Sequence, residues 1–234
     1  MLNSKYSKAL TAILIIAIVI IIGILIFVAI DWYKALKTEK DNDDSMNQFN
    51  GYIENINKNE NNNNVNNNTN NIKNNQDNII EEPNGNIANS ENNNNNSSNT
   101  SPTYKGMKVI GVIEIPKTSV KYNILDDKSA KAMDLGITFL YGAGVNEVGN
   151  TVLAGHNYRN ETFFSNNKKL AKGDKIYITD LRGKKVTYTI THTYKTDASD
   201  FSYATRDTNG KRAISLTTCT DDSSARIIIW AEEQ

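Results

Sequence analysis

Twenty-one consecutive residues, Leu10 to Ile30, carry no charge and are dominated by isoleucine, and this one stretch fixes what the chain can be. At 1.5 Å per residue a helix of that length crosses a hydrocarbon core of ~30 Å. A cleaved secretory signal has a shorter apolar core and ends at a small-x-small site, which Ile26-Phe27-Val28-Ala29 does not supply well, so the segment reads as an uncleaved anchor. Behind it, 27 of the 60 residues from Asp41 to Thr100 are Asn. A tract so poor in apolar side chains cannot offset its ordering entropy, and the expectation is a disordered tether spanning roughly 40 to 45 Å root-mean-square. Within it, Ile53, Ile56 and Ile79-Ile80 are expected to form brief helical turns at most. The division read from the sequence is residues 1–9 as a short cytoplasmic tail, 10–30 as a transmembrane signal anchor, 31–104 as an Asn-rich disordered linker and 105–234 as the folded domain. Lysines flank the apolar stretch on both sides, so charge gives no clear vote on orientation.

The folded part is about 130 residues, a normal size for one domain with its own core. From Lys105 onward it has 19 Lys and Arg against 15 Asp and Glu, a net of +4, too mild to argue for nucleic acid. Short strand-like runs recur: residues 108–115, 120–124, 150–154, 175–179, 186–194, 213–218 and 226–231. Turn signals such as Lys172-Gly173-Asp174, Leu181-Arg182-Gly183 and Asn209-Gly210 separate them. This pattern predicts an all-β sandwich or barrel, with helical pieces near 126–135 and 162–170.

Cys219 is the chain's only cysteine, so it makes no internal disulfide. It closes the run Ser215-Leu216-Thr217-Thr218-Cys219, and a few residues later Arg226 opens the next run. An antiparallel hairpin is the economical reading, with Arg226 across from Cys219. A thiol nucleophile acts as thiolate and needs a nearby base or cation. Of the two histidines, His156 follows the apolar run Asn150-Thr151-Val152-Leu153-Ala154-Gly155 and can reach a cleft. His192 lies mid-run, where a period of two puts it on the face of Val186, Tyr188, Ile190 and Tyr194, so it is expected to pack. Read singly, Cys219 is also a small buried hydrophobe, His156 a loop or core histidine and Arg226 a strand-edge cation.

Taken together, Ala154-Gly155-His156, then Ser215-Leu216-Thr217-Thr218-Cys219, then Arg226 resemble the sortases of Gram-positive bacteria, whose signature is Thr-Leu-x-Thr-Cys with an upstream His and a following Arg. Ser215 stands where the family usually has Thr, keeping the hydroxyl. The resemblance covers Met107 to Glu233. It implies a closed eight-stranded β-barrel with one or two short helices, Cys219 as nucleophile, His156 as general acid and base, and Arg226 as the group that steadies the oxyanion. Thr218, with Phe201 and Tyr203 in the loop before the Cys strand, would bind substrate. The implied activity is that of a membrane-anchored transpeptidase, its domain outside the cell, that cleaves a Leu-Pro-x-Thr-Gly-like motif of exported proteins through a thioester. It would then join them to an amine of a peptidoglycan precursor or cross-bridge. A surface thiol peptidase and a non-catalytic surface-binding barrel are the alternatives. The three prolines follow Glu82, Ser101 and Ile115 and make no Asp-Pro-aromatic plug, which points away from pilus-building types toward those called class A or class D. No cofactor or metal is expected. Glu147, Asp197, Asp200 and Asp221-Asp222 are the carboxylates a calcium ion would use, but loop carboxylates are usually solvated.

Overall fold

The computed structural model describes residues 4–69 and 101–234, and these form two compact units, Met1–Ser45 and Met46–Gln234. Helix α1 runs from Ser4 to Thr69. In its first unit, Leu10–Ile30 has a mean hydropathy of 3.7, so by length and composition it can cross a membrane. The expected helical turns at Ile79-Ile80 fall outside the described residues.

Among the described residues of the second unit there are nine strands: β1 (Thr103–Tyr104), β2 (Met107–Ile115), β3 (Val120–Leu125), β4 (Ile137–Gly142), β5 (Gly149–Ala154), β6 (Lys175–Asp180), β7 (Lys185–Asp197), β8 (Arg212–Cys219) and β9 (Ala225–Glu233). Helix α2 is the single turn Ala130–Met133. The strand order β2-β3-β4-β5-β8-β9-β7-β6 closes on itself through β6 and β2, giving the eight-stranded barrel, with β1 appended to β2. Closure leaves no open sheet edge in the barrel. β3–β4 and β5–β8 are parallel pairs and the others antiparallel.

Alternation along the strands fills the barrel with Ile113, Ile124, Leu153, Ile178, Tyr188, Ile214, Leu216 and Ile229, all nearly or fully buried. Strand β8 departs from alternation, being buried on both faces from Ala213 to Thr218. Its outer face is covered by the loop between β7 and β8. Asn150 on β5 donates from Nδ2 to Tyr203 O and Ala204 O at 3.0 and 3.1 Å, while Ser215 Oγ reaches Asn150 Oδ1 and Tyr203 O. Arg206 in the same loop donates to Ile214 O and Ala231 O, each at 3.2 Å, with its guanidinium over the Trp230 ring. The Ser215 hydroxyl is part of this strap.

The first part of the segment read as a disordered linker is helical. Met46, Phe49 and Ile53 recur at helical spacing and pack with Tyr104, Val109, Val112, Leu125, Ala132 and Leu181 in a second cluster outside the barrel. Phe49 keeps only 2% of its surface. A compositional reading dominated by Asn passes over this stripe of three apolar residues. Strand β4 was not anticipated either, and a register shift between Phe139 and Tyr141 breaks its alternation. His192 lies just after another such shift, between Ile190 and His192, which turns it outward. It is exposed and stacks on Trp230 and Tyr194 instead of packing with Tyr188 and Ile190.

Candidate active site

Cys219 is the last residue of β8 and is half-buried. Its Cα partner across the β8–β9 hairpin is Arg226, and facing residues of an antiparallel pair lie ~4.5 to 5.5 Å apart at Cα with side chains on one face. Two further pairs along the same ladder, Thr217 faces Ile228 and Ser215 faces Trp230. Because Ile228 packs with Val152 and Tyr203 on the outside of the barrel, alternation puts Cys219 and Arg226 on that outer face too. The site is therefore on the flank of the barrel, at the ends of its strands.

The connecting turn is tightly tied. Thr220 N–H donates to Ala225 O at 3.0 Å and Ala225 N–H returns to Thr220 Oγ1 at 3.1 Å. Asp222 accepts from Thr220 Oγ1 and from Ser224 Oγ and N–H, and these bonds hold its carboxyl down at about 2. The Arg226 guanidinium donates to Ala225 O at 3.4 Å. On its other side β9 pairs with β7, Thr196 facing Arg226.

His156 arrives from β5. Ala154 is level with Thr217 in the parallel β5–β8 pair, and Gly155 N–H continues the ladder to Thr217 O at 3.3 Å. His156 follows two residues beyond the last β5–β8 pair, as Cys219 does on β8. Gly155 is needed for this path, since a Cβ there would stand 2.6 Å from Ile137 Cδ1 and 2.8 Å from Phe164 Cδ2. Asn157 then locks the two strand exits together, donating from Nδ2 to Cys219 O and to Asp221 Oδ1, both at 2.9 Å. The His156 side chain is 35% exposed, with Nε2 at 3.3 Å from Asp134 Oδ1. The Tyr158 ring lies 4.9 Å from the imidazole, centroid to centroid.

Cys219 and Arg226 thus face each other across the β8–β9 hairpin, and His156 leaves the neighbouring strand β5 at the same end. The three expected substrate contacts do not stay together. Thr218 alternates to the opposite side of β8 from Cys219 and keeps 4% of its surface, and its hydroxyl is buried without a hydrogen-bond partner. Tyr203 keeps 2% and is the anchor of the β7–β8 loop in the outer cluster, so it offers a ligand no surface. Phe201 is 62% exposed, two residues from that anchor. Asp134, Asn157 and Tyr158 were not singled out in the sequence, although two of them directly follow His156.

The carboxylates considered for calcium have protein partners. Glu147 pairs with Arg182 and Asp221 with Lys168. Asp197 accepts from Ser199 and Asp200 from Thr196 and Ser202. Among the described residues no three His, Cys, Asp or Glu side chains stand together as a metal site would require.

The family model described as the Sortase domain matches residues 113–234, more than half of the chain. The chain belongs to the sortase family. Sortase A of Listeria monocytogenes is 38% identical over 114 residues, 47% of this sortase and 49% of that relative. Sortase A of Bacillus anthracis is 31% identical over 125 residues, 52% and 58% of the two chains. The chain spans about half the length of the curated relatives it matches. Among solved structures, a Clostridium perfringens Sortase D5 transpeptidase shares 29% identity at a TM-score of 0.50, covering 54% of this sortase and 79% of that chain.

Proposed function

We propose that the domain is a cysteine transpeptidase that cleaves a Leu-Pro-x-Thr-Gly-like sorting motif in exported proteins and passes the acyl group to a cell-wall amine. The observation that carries this reading is the register: Cys219 faces Arg226 across β8–β9, and His156 leaves the adjacent strand β5 between Gly155, bonded to Thr217 O, and Asn157, bonded to Cys219 O. In the proposed reaction the Cys219 thiolate attacks the scissile carbonyl and forms the C–S bond. The charge that grows on the carbonyl oxygen is offset by the Arg226 guanidinium, an arrangement worth several kcal/mol when donors are fixed in advance. Protonated His156 gives its proton to the departing amine as the C–N bond breaks, leaving a thioester on Cys219. An incoming primary amine loses a proton to His156 and displaces the thiolate, forming a new amide. The amine of a peptidoglycan precursor or cross-bridge fits that second role.

Leu10–Ile30 would hold the enzyme in the membrane with the barrel outside, where exported substrates pass. The curated relatives named Sortase A support an anchoring type, class A-like or class D-like, while the similar solved structures include both a Sortase D5 and a pilus-related Sortase C and favour neither. Product analysis with a motif peptide tests the reading. Transfer to an added amine that exceeds hydrolysis supports it. Cleavage whose products ignore the amine makes the protein a thiol peptidase, and no cleavage leaves a non-catalytic barrel.

A further inference from the structure

The imidazole of His156 is held by groups that the sulfur, imidazole and guanidinium chemistry does not use. Asp134 closes helix α2, its N–H reaching Ala130 O at 3.0 Å. That turn is rigid for its length: Ser129 caps it by accepting from Ala132 N–H at 3.1 Å, and Ala132 is wholly buried in the cluster with Leu125 and Val109. The backbone of Asp134 is therefore fixed while its carboxylate reaches outward. Its Oδ1 stands 3.3 Å from His156 Nε2 and accepts from Tyr158 Oη at 2.7 Å.

Tyr158 is fixed in its turn. Its N–H donates to the buried Ser165 Oγ at 3.0 Å, and its ring lies between the imidazole, at 4.9 Å and tilted 34°, and Phe163, at 5.8 Å. One carboxylate oxygen thus meets the edge of the imidazole while an aromatic ring meets its face. Burial, and then the hydrogen bond to Asp134, push the Tyr158 phenol up to about 12, so it remains a donor across the neutral range.

We propose that Asp134 and Tyr158 are positioning residues for His156, fixing the ring's edge and face so that its proton is delivered in a set direction. The inference rests on the transpeptidase reading, and it adds two residues to the site that touch neither substrate nor the reacting bonds. A histidine free to turn about its side-chain torsions samples many orientations, and a displacement of about 1 Å can lower a rate about 100-fold. The carboxylate is also opposite in sign to the imidazolium that forms during the reaction, as in other sites where a third group orients the base.

The experiment compares the full chain in detergent micelles with Asp134→Asn, which keeps the shape and removes the charge, and Tyr158→Phe, which removes only the hydroxyl. Two quantities are read: steady-state transfer of a motif peptide to an amine, and the ring carbon–hydrogen NMR signals of His156, with His192 as the control for an intact barrel. The expected result is a kcat lower by about 10- to 100-fold in Asp134→Asn, and by about threefold in Tyr158→Phe, with KM within about twofold. In both variants the His156 ring signals move while those of His192 stay. Unchanged kcat in Asp134→Asn, a rise in KM at constant kcat, or His156 signals that do not move overturns the proposal. If the parent transfers no peptide at all, it is the transpeptidase reading that fails, and the ring signals still decide whether these two residues position the imidazole.

Discussion

Replacing Asn146 with Ala should destabilise the barrel by about 2 to 4 kcal/mol while leaving the site at the other end of β5 intact. Asn146 keeps 1% of its surface. Its Nδ2 donates to Ile178 O at 3.1 Å and to Lys184 O at 2.9 Å, and its Oδ1 accepts from the hydroxyl of Tyr188 at 3.0 Å. Tyr188 is itself buried inside the barrel at 1% exposure. Truncation strands that hydroxyl, while the Ile178 and Lys184 carbonyls each lose one bond and keep their backbone partners between β6 and β7. A buried polar group left without a partner costs about 1 to 3 kcal/mol, with entering water relieving some of it. The residue also has φ of 59°, where Asn is tolerated and Ala adds about 1 kcal/mol. Two companion variants separate these effects. Asn146→Gly removes the backbone strain and should recover about 1 kcal/mol, and Tyr188→Phe should lose about 1 to 3 kcal/mol, since Asn146 Oδ1 is left buried without that donor. Urea unfolding followed by Trp230 fluorescence, in a Trp32→Phe background, gives the free energies. A loss below 1 kcal/mol in Asn146→Ala, or full recovery in Asn146→Gly, would refute the idea that the side-chain amide holds this end of the barrel.

Other consequences are open to direct measurement. Gly155→Ala should displace the exit of β5, because the added methyl has no room beside Ile137 and Phe164; a thermal midpoint lowered by an overpacking cost of about 1 to 3 kcal/mol is expected, with peptide transfer lost well below that midpoint. Phe49→Asp should release the helix around Met46 and Ile53 from the outer cluster without unfolding the barrel, so amide exchange should quicken over residues 46–57 while β5 and β8 stay protected. The raised Tyr158 phenol predicts an alkaline effect. A folded-state value above the ordinary 10.0 contributes stability that is fully present below pH 10 and lost as pH rises through about 12. Over that window Tyr158→Phe should lose less stability than the parent, and identical alkaline unfolding curves would count against the Asp134–Tyr158 contact.

The parts of the site that could be read from the sequence are those set by neighbours along the chain. A turn of a few residues makes the β8–β9 hairpin almost unavoidable, so Arg226 opposite Cys219 followed from spacing alone. His156 was placed by the apolar run and glycine before it. Asp134 was not readable, because a lone acid after a helical turn resembles any solvated carboxylate until the fold sets it beside residue 156. Period-two reasoning failed at His192 and at β4 for one physical reason: a bulge of one residue reverses every face after it. Tyr203 and Phe201 looked equivalent as loop aromatics, and only the strap from Asn150 and Ser215 decides that one is an anchor and the other is exposed. The helical stripe of Met46, Phe49 and Ile53 was masked by the asparagines around it.

Mass spectrometry of the intact protein during turnover addresses the proposed chemistry most directly. With a motif peptide and no amine, the account predicts an acyl adduct that proteolysis maps to Cys219, that hydroxylamine removes, and that Cys219→Ala does not form. Its accumulation should fall in His156→Ala and Arg226→Ala. An adduct that survives in Cys219→Ala, or a parent that cleaves the peptide without ever carrying one, would contradict it.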